Sequence, residues 1–141
     1  MKNGEKRLFT ALCSYKEENF NASLLYYATS AVLGSLFMNR MQGVAFGVLK
    51  KHGVASDVCR EFGNSLKTAA KDNEEKNADF YKAVRYVSGI VKESGVCAAF
   101  LKGALLCGKY PKGFRTSNDI DILLSPADVS LLGKELLKNG F

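Results

Sequence analysis

The sequence has few of the residues that mark several protein classes. Its 141 residues include only 2 prolines, no tryptophan and a single histidine, and this low proline content excludes a collagen-like chain. Because 47% of the residues are hydrophobic and 24% are charged, the composition is that of a globular domain rather than a disordered chain. We expect one core, or a small pair of regions sharing a core.

Long hydrophobic runs and paired cysteines are also missing. The most apolar stretch, Ala22–Met38, contains four serine and threonine residues and is shorter than the ~20 apolar residues of a spanning helix. Leu8–Cys13 is too short for the apolar region of a signal peptide. The four cysteines form no CxxC pair and have no histidine at ligand spacing, so we expect small apolar side chains rather than a zinc site. These absences predict no membrane partner and a cytoplasmic location.

Positive charge exceeds negative charge, with 20 Lys and Arg against 14 Asp and Glu and a net charge of +6. Such a surface attracts anions, including nucleotides and nucleic acid. The basic residues are scattered and form no run, which is equally typical of solvated helix faces. The net charge therefore allows nucleic acid as a partner but does not favour it.

Residues 1–92 are predicted to form a helical region. Apolar spacing predicts one helix over Glu17–Met41 and another over Met41–Leu49, which ends at two lysines followed by His52 and a glycine. A long helical segment follows, with Ser56 as its predicted cap. The pattern leaves open whether this segment is one helix or two helices broken near residues 72–73.

Residues 93–141 are predicted to form a strand–helix–strand–helix unit. The strands are Val96–Leu101 and Asp119–Leu124, separated by a short helix over Ala104–Gly108. Ser125 and the proline after it form a helix start, and this last helix ends at Asn139-Gly140.

The predicted fold class is therefore α+β, with the helical region packed on a small mixed sheet. Apolar stripes over Phe80–Val91 and Val129–Leu137 are expected to form a shared core with the strands. Their expected partners in the strands are Val96, Phe100, Ile120 and Ile122.

Asp119-Ile120-Asp121-Ile122 is the sequence feature that carries most chemical information. On a strand, Asp119 and Asp121 share one face, with Cα atoms ~6.6 Å apart. Two neighbouring carboxylates repel each other and need a counter-charge, and Mg²⁺ shared with substrate phosphates supplies one. The alternative is that both aspartates face solvent on a half-buried edge strand.

Three upstream features strengthen the metal-site interpretation. Gly103, with Ala104, lies at the end of the first strand, where a missing side chain allows close approach of a ligand to the backbone. Lys102 and Arg115 add positive charge for contacts with phosphate oxygens. Taken one at a time, these residues also fit a turn glycine, a solvated lysine and a surface arginine.

The stretch Phe100–Leu124 resembles the signature of the uncharacterised nucleotidyltransferases of the DNA polymerase β superfamily. It shares with them an apolar strand ending in L-K-G, a Y-P turn, and R-x-x-x-D-h-D on the next strand. The resemblance continues through Ser125–Asp128 and Lys138–Phe141, and the helical region from about Met41 is compatible with it.

The resemblance implies a role for each motif residue. Gly103 and Ala104 would hold the phosphates of a nucleoside triphosphate, ATP or GTP, and Asp119 and Asp121 would be the first two catalytic, metal-binding carboxylates. Lys102 and Arg115 match motif positions, and their phosphate-binding roles are inferred from their charge. The implied reaction is attack of an acceptor hydroxyl, of unknown identity, on the α-phosphate, with two Mg²⁺ ions assisting and pyrophosphate leaving.

The chain departs from the superfamily pattern in two ways. Ala104 stands where Gly or Ser is usual, and the third carboxylate expected on a later strand is missing. We therefore expect a fragment or a naturally shortened relative that is inactive by itself. Its open sheet edges lead us to expect pairing either with a second copy of the chain, as a homodimer, or with the missing segment. The alternatives are a non-catalytic basic helical module that binds nucleic acid or protein, and a nucleotide-binding pseudoenzyme.

Overall fold

A computed structural model describes the backbone of all 141 residues and every side chain except that of Cys107. The chain is mostly helical with a small sheet, which confirms the α+β class. The elements in chain order are α1 (Asn3–Cys13), a 3-10 helix (Ala22–Tyr27), α2 (Ser30–Met38), α3 (Gln42–Lys51), α4 (Arg60–Ser94), β1 (Ala98–Phe100), α5 (Gly103–Leu106), a second 3-10 helix (Cys107–Lys109), β2 (Ile122–Leu124) and α6 (Pro126–Lys138).

The described backbone forms one sheet of two strands. β1 and β2 are antiparallel, with Ala98 opposite Leu124 and Phe100 opposite Ile122, so the sheet is not the mixed sheet that we expected. Both strands are also shorter than predicted. The second strand begins at Ile122 rather than at Asp119, which leaves both aspartates just outside it.

Two helix ends follow the local signals in the sequence. α3 ends at Lys51, and Gly53 behind it has a φ of +70°, a conformation that glycine adopts without steric cost. α6 begins as predicted: the Ser125 hydroxyl accepts a hydrogen bond from the Asp128 backbone N–H at 3.2 Å and donates one to the Asp128 carboxylate at 2.8 Å. The start of α6 predicted from a capping serine and a proline at the first helical position is therefore confirmed.

Three other helix predictions needed correction or completion. The helix predicted over Glu17–Met41 is instead the first 3-10 helix followed by α2, because Thr29 caps a new helix by accepting from the Val32 N–H. Ser56 caps nothing: its hydroxyl bonds the Asp57 carboxylate, and α4 begins at Arg60. α4 is a single helix of 35 residues, which answers the question that the pattern left open.

The chain divides into two compact units. The first comprises Met1–Glu74 with Pro111–Arg115, and the second comprises Glu75–Tyr110 with Thr116–Phe141. α4 therefore contributes residues to both units. The boundary predicted between residues 92 and 93 follows the change in sequence periodicity and stays a prediction.

Each unit has its own apolar core. The core of the first unit is built from α1, α2, α3 and the start of α4; its fully buried large side chains are Leu8, Leu12, Val32, Leu36, Val48, Leu49 and Leu66. In the second unit, Val87, Ile90 and Val91 of α4 pack with Leu132 of α6 and with the inward-facing residues of the sheet. The predicted partners Val96, Phe100, Ile120 and Ile122 all belong to this second core.

Two further expectations concern membranes and cysteines. Among the described helices, none alone is long and apolar enough to cross a membrane; α2 and α3 meet that criterion only as a pair, with a bend of 119° between them. Cys59 and Cys97 are exposed, so at these two positions the cysteine is not the packed small apolar side chain that we expected.

Candidate functional site

The two candidate carboxylates lie in the irregular segment that leads into β2. Ile120 and Ile122 on either side of Asp121 pack into the core of the second unit, so the Asp121 side chain faces away from that core. The Leu101 backbone N–H donates to the Asp121 carbonyl at 2.9 Å, which holds this residue beside the end of β1. Asp119 is exposed, and the Asp121 side chain is 42% exposed.

Lys102 supplies a counter-charge for Asp121. Its Nζ lies 3.7 Å from Asp121 Oδ2. The backbone of Lys102 has a φ of +40°, which residues other than glycine seldom adopt and which turns the chain at the end of β1. Because the lysine side chain is 77% exposed, the ion pair adds little to stability and leaves the ammonium group able to move.

Gly103 is buried, and the space beside its Cα is filled by the chain itself. A Cβ at this position would collide with the Ser117 hydroxyl group and lie 2.7 Å from Ser117 Cβ and 3.3 Å from the Asp119 carbonyl oxygen. The glycine therefore lets the segment carrying Asp119 pack directly on the turn. Ser117 was missed by sequence reasoning, and only its position two residues before Asp119 could have drawn attention to it.

The remaining two predicted residues, Ala104 and Arg115, belong to different units. Ala104 is half-buried in α5, a helix of four residues whose single turn has little dipole of its own. Arg115 is exposed and belongs to the first unit, whereas Lys102, Gly103, Asp119 and Asp121 belong to the second. Five of the six predicted residues, Ala104 included, therefore belong to the second unit.

Asp119 and Asp121 could hold Mg²⁺ only together with ligands that the protein does not supply. Among the residues whose side chains are described, no group of three or more Asp, Glu, His or Cys residues could hold a metal ion. Asp119 and Asp121 together offer carboxylate oxygens, which Mg²⁺ prefers, and this ion is commonly held by one or two carboxylates with substrate phosphates and water completing its shell. The site therefore suits a magnesium ion that arrives with a phosphate ligand.

Comparison with known proteins gives one match. Residues 29–141 match a family described as an uncharacterised nucleotidyltransferase. The match covers about four-fifths of the chain, begins just before α2 and includes all the candidate site residues. No curated protein and no solved structure matches the chain significantly.

Proposed function

Because the chain belongs to this family of uncharacterised nucleotidyltransferases, we propose that it binds a nucleoside triphosphate with Mg²⁺ through Asp119 and Asp121. The observation that carries the proposal is the approach of the Lys102 ammonium to the Asp121 carboxylate at the Gly103 turn, on which the backbone of Asp119 also packs. The 3.7 Å approach of Lys102 to Asp121 puts a cation where a metal–phosphate complex would bind. The reaction class is transfer of a nucleoside monophosphate to a hydroxyl acceptor.

Each residue has a defined task in this reaction. Asp119 and Asp121 hold Mg²⁺, which when bound would lower the pKa of the attacking hydroxyl and neutralise the leaving pyrophosphate. The Lys102 ammonium, which is mostly exposed, would pair with a phosphate oxygen once the Asp121 carboxylate holds the metal ion. Gly103 and Ala104 form the turn that would hold the phosphates, and Ala104 contributes only a methyl group to it. The acceptor oxygen bonds to the α-phosphorus as the bond to pyrophosphate breaks, and the hydroxyl proton passes to solvent water.

A second candidate function is nucleotide binding without turnover. Both carboxylates at the site are assigned to the metal, and the described side chains form no larger acidic cluster around them. A general base for the acceptor hydroxyl is therefore not assigned. On this ground we expect the 141-residue chain by itself to bind nucleotide with little or no transfer activity.

The decisive experiment is calorimetric titration of the chain with ATP and with GTP, each with and without Mg²⁺. For the Asp119→Asn/Asp121→Asn variant, we expect the Mg²⁺-dependent part of the affinity to fall by roughly tenfold or more, since charge-assisted ligands are removed. Asp79→Asn, on an exposed part of α4, is the control and should change nothing.

Unchanged affinity and unchanged metal dependence in the double variant would contradict the proposal. If the chain instead shifts random RNA or DNA in a gel, with an affinity that falls steeply with salt, the basic binding-module alternative gains support.

A further inference from the structure

The segment that carries the two candidate carboxylates is fixed near Asp121 by the sheet and the core, whereas Asp119 lies beyond the sheet. The Asp121 carbonyl accepts a hydrogen bond from the Leu101 backbone N–H at 2.9 Å, and Ile120 packs into the core of the second unit. Because β2 begins at Ile122, the pairing of the strands does not extend to Asp119. A contact that fixes the Asp119 backbone must therefore come from outside the strand pairing.

Ser117 supplies that contact at the Gly103 turn, within the same unit. A Cβ at Gly103 would collide with the Ser117 hydroxyl group and would lie 2.7 Å from Ser117 Cβ and 3.3 Å from the Asp119 carbonyl oxygen. The hydroxyl also donates to the Asp119 carbonyl at 3.5 Å, a length at which a hydrogen bond is weak. The position of Asp119 thus depends chiefly on the packing of Ser117 and of the Asp119 carbonyl against the bare glycine.

A fixed backbone at Asp119 favours metal binding. Mg²⁺ demands a nearly ideal octahedral arrangement of oxygen ligands. A carboxylate on a loose segment has to be ordered when the ion binds, and the conformational entropy lost in that step weakens the affinity. A side chain that orders the segment beforehand lowers this cost without touching the ion.

We propose that Ser117 is a positioning residue for the metal site: by packing on Gly103 it holds the Asp119 backbone so that both carboxylates are available to one Mg²⁺–nucleotide complex. Ser117 acts through Asp119 and contacts neither the metal nor the nucleotide. This inference rests on the proposed function for the identity of the ligand. It adds to that function a second reason for a glycine at position 103, which makes room for the residue that positions a metal ligand.

The test variant is Ser117→Gly, which removes both side-chain atoms that pack on Gly103. Calorimetric titration with ATP should show that the Mg²⁺-dependent part of the affinity falls by roughly three- to tenfold, the cost of ordering one loosened ligand. The affinity for ATP without Mg²⁺ should stay at the wild-type value, because Lys102 and the turn are unaltered. Ser56→Gly, the same substitution at an exposed position in the first unit, is the control and should change neither affinity.

Two further variants separate positioning from a general loosening of the turn. Ser117→Ala keeps the Cβ that packs on Gly103, so it should lose only about twofold in Mg²⁺-dependent affinity. In an Asp119→Asn background, adding Ser117→Gly should cause no further loss, because Ser117 acts through that carboxylate. If Ser117→Gly does not fold, judged by circular dichroism, Ser117→Ala takes its place in both backgrounds, with its smaller loss confined to the chain that retains Asp119.

Equal losses in the two backgrounds, losses of the same size with and without Mg²⁺, or no loss at all would overturn the proposal. The proposed function is judged separately, by the effect of Asp119→Asn/Asp121→Asn on metal dependence. If that double variant loses its metal dependence while the Ser117 variants keep theirs, this inference alone fails. A double variant with the metal dependence of the wild type would overturn the proposed function and this inference with it.

Discussion

Gly103 has two explanations at the scale of the residue. The family resemblance assigns it to phosphate binding, whereas the structure shows that the Ser117 side chain occupies the space where its Cβ would lie. The two explanations are compatible, because packing of the chain on one side of a glycine leaves its other side open to a ligand. They can nevertheless be separated by a pair of substitutions.

We predict that Gly103→Ala destabilises the protein by about 1–3 kcal/mol, the usual cost of overpacking, and that Ser117→Gly in the same chain restores much of this loss. Ser117→Gly removes the two atoms that the new methyl group would meet most closely. Urea denaturation measures the change in the free energy of unfolding. The control is Gly133→Ala in α6, where open space surrounds the glycine and a gain of about 0.5–1 kcal/mol is expected.

The same variants report on phosphate binding. If the bare backbone of Gly103 is needed by the ligand, ATP affinity stays low in the Gly103→Ala/Ser117→Gly protein although its stability has recovered. A Gly103→Ala protein as stable as the wild type would show that the Ser117 contact does not constrain this turn.

At the scale of the element, the N-terminus of α1 holds a carboxylate that responds to pH. Hydrogen bonds from the Lys2 backbone N–H and from the Thr29 hydroxyl lower the pKa of Glu5 below its ordinary value. Glu5 also links α1 to the residue that caps α2. A carboxyl whose pKa is lowered on folding stabilises the folded state above its ordinary pKa, and this contribution is lost as the pH falls through the lowered value.

We therefore predict that the wild type loses more stability than Glu5→Gln when the pH is lowered from about 6 to about 3. Urea midpoints measured across this range give the comparison. Glu18→Gln removes the same charge from an exposed position outside the α1 terminus and should keep the pH dependence of the wild type. If the urea midpoints of Glu5→Gln and the wild type fell equally as the pH was lowered, the stabilising role of ionised Glu5 would be contradicted.

At the scale of the whole molecule, two separate apolar cores stabilise two compact units. Leu132 is the α6 residue buried in the second core, with 2% exposure, whereas its neighbour Leu131 is 45% exposed. A substitution that leaves a cavity in one core should therefore affect the elements of that unit most.

We predict that Leu132→Ala costs about 2–5 kcal/mol in the stability of the second unit, whereas Leu131→Ala is close to neutral. Native-state hydrogen exchange should show faster exchange at the amides of β2 and α6 in Leu132→Ala, with the amides of α1 little changed. An equal loss of protection in α1 would instead mean that the two units unfold as one.

The features that the sequence alone determined depend on interactions between residues close together in the chain. The start of α6 depends on Ser125 and the adjacent proline, and the inward-facing residues at Ile120 and Ile122 follow from strand alternation, so both were predictable from neighbouring residues. The family resemblance placed Lys102 and Asp121 at one predicted site, and the structure brings their charged atoms to 3.7 Å.

Only the tertiary structure decided which distant segments share space. The Ser117 contact with Gly103 and the docking of Gly113 and Phe114 on α3 and Asn73 join residues far apart in the chain, and no periodicity records such contacts. The same holds for the division of α4 between two units. In each case the outcome depends on burial against a distant partner, an energy that is absent until the chain has folded.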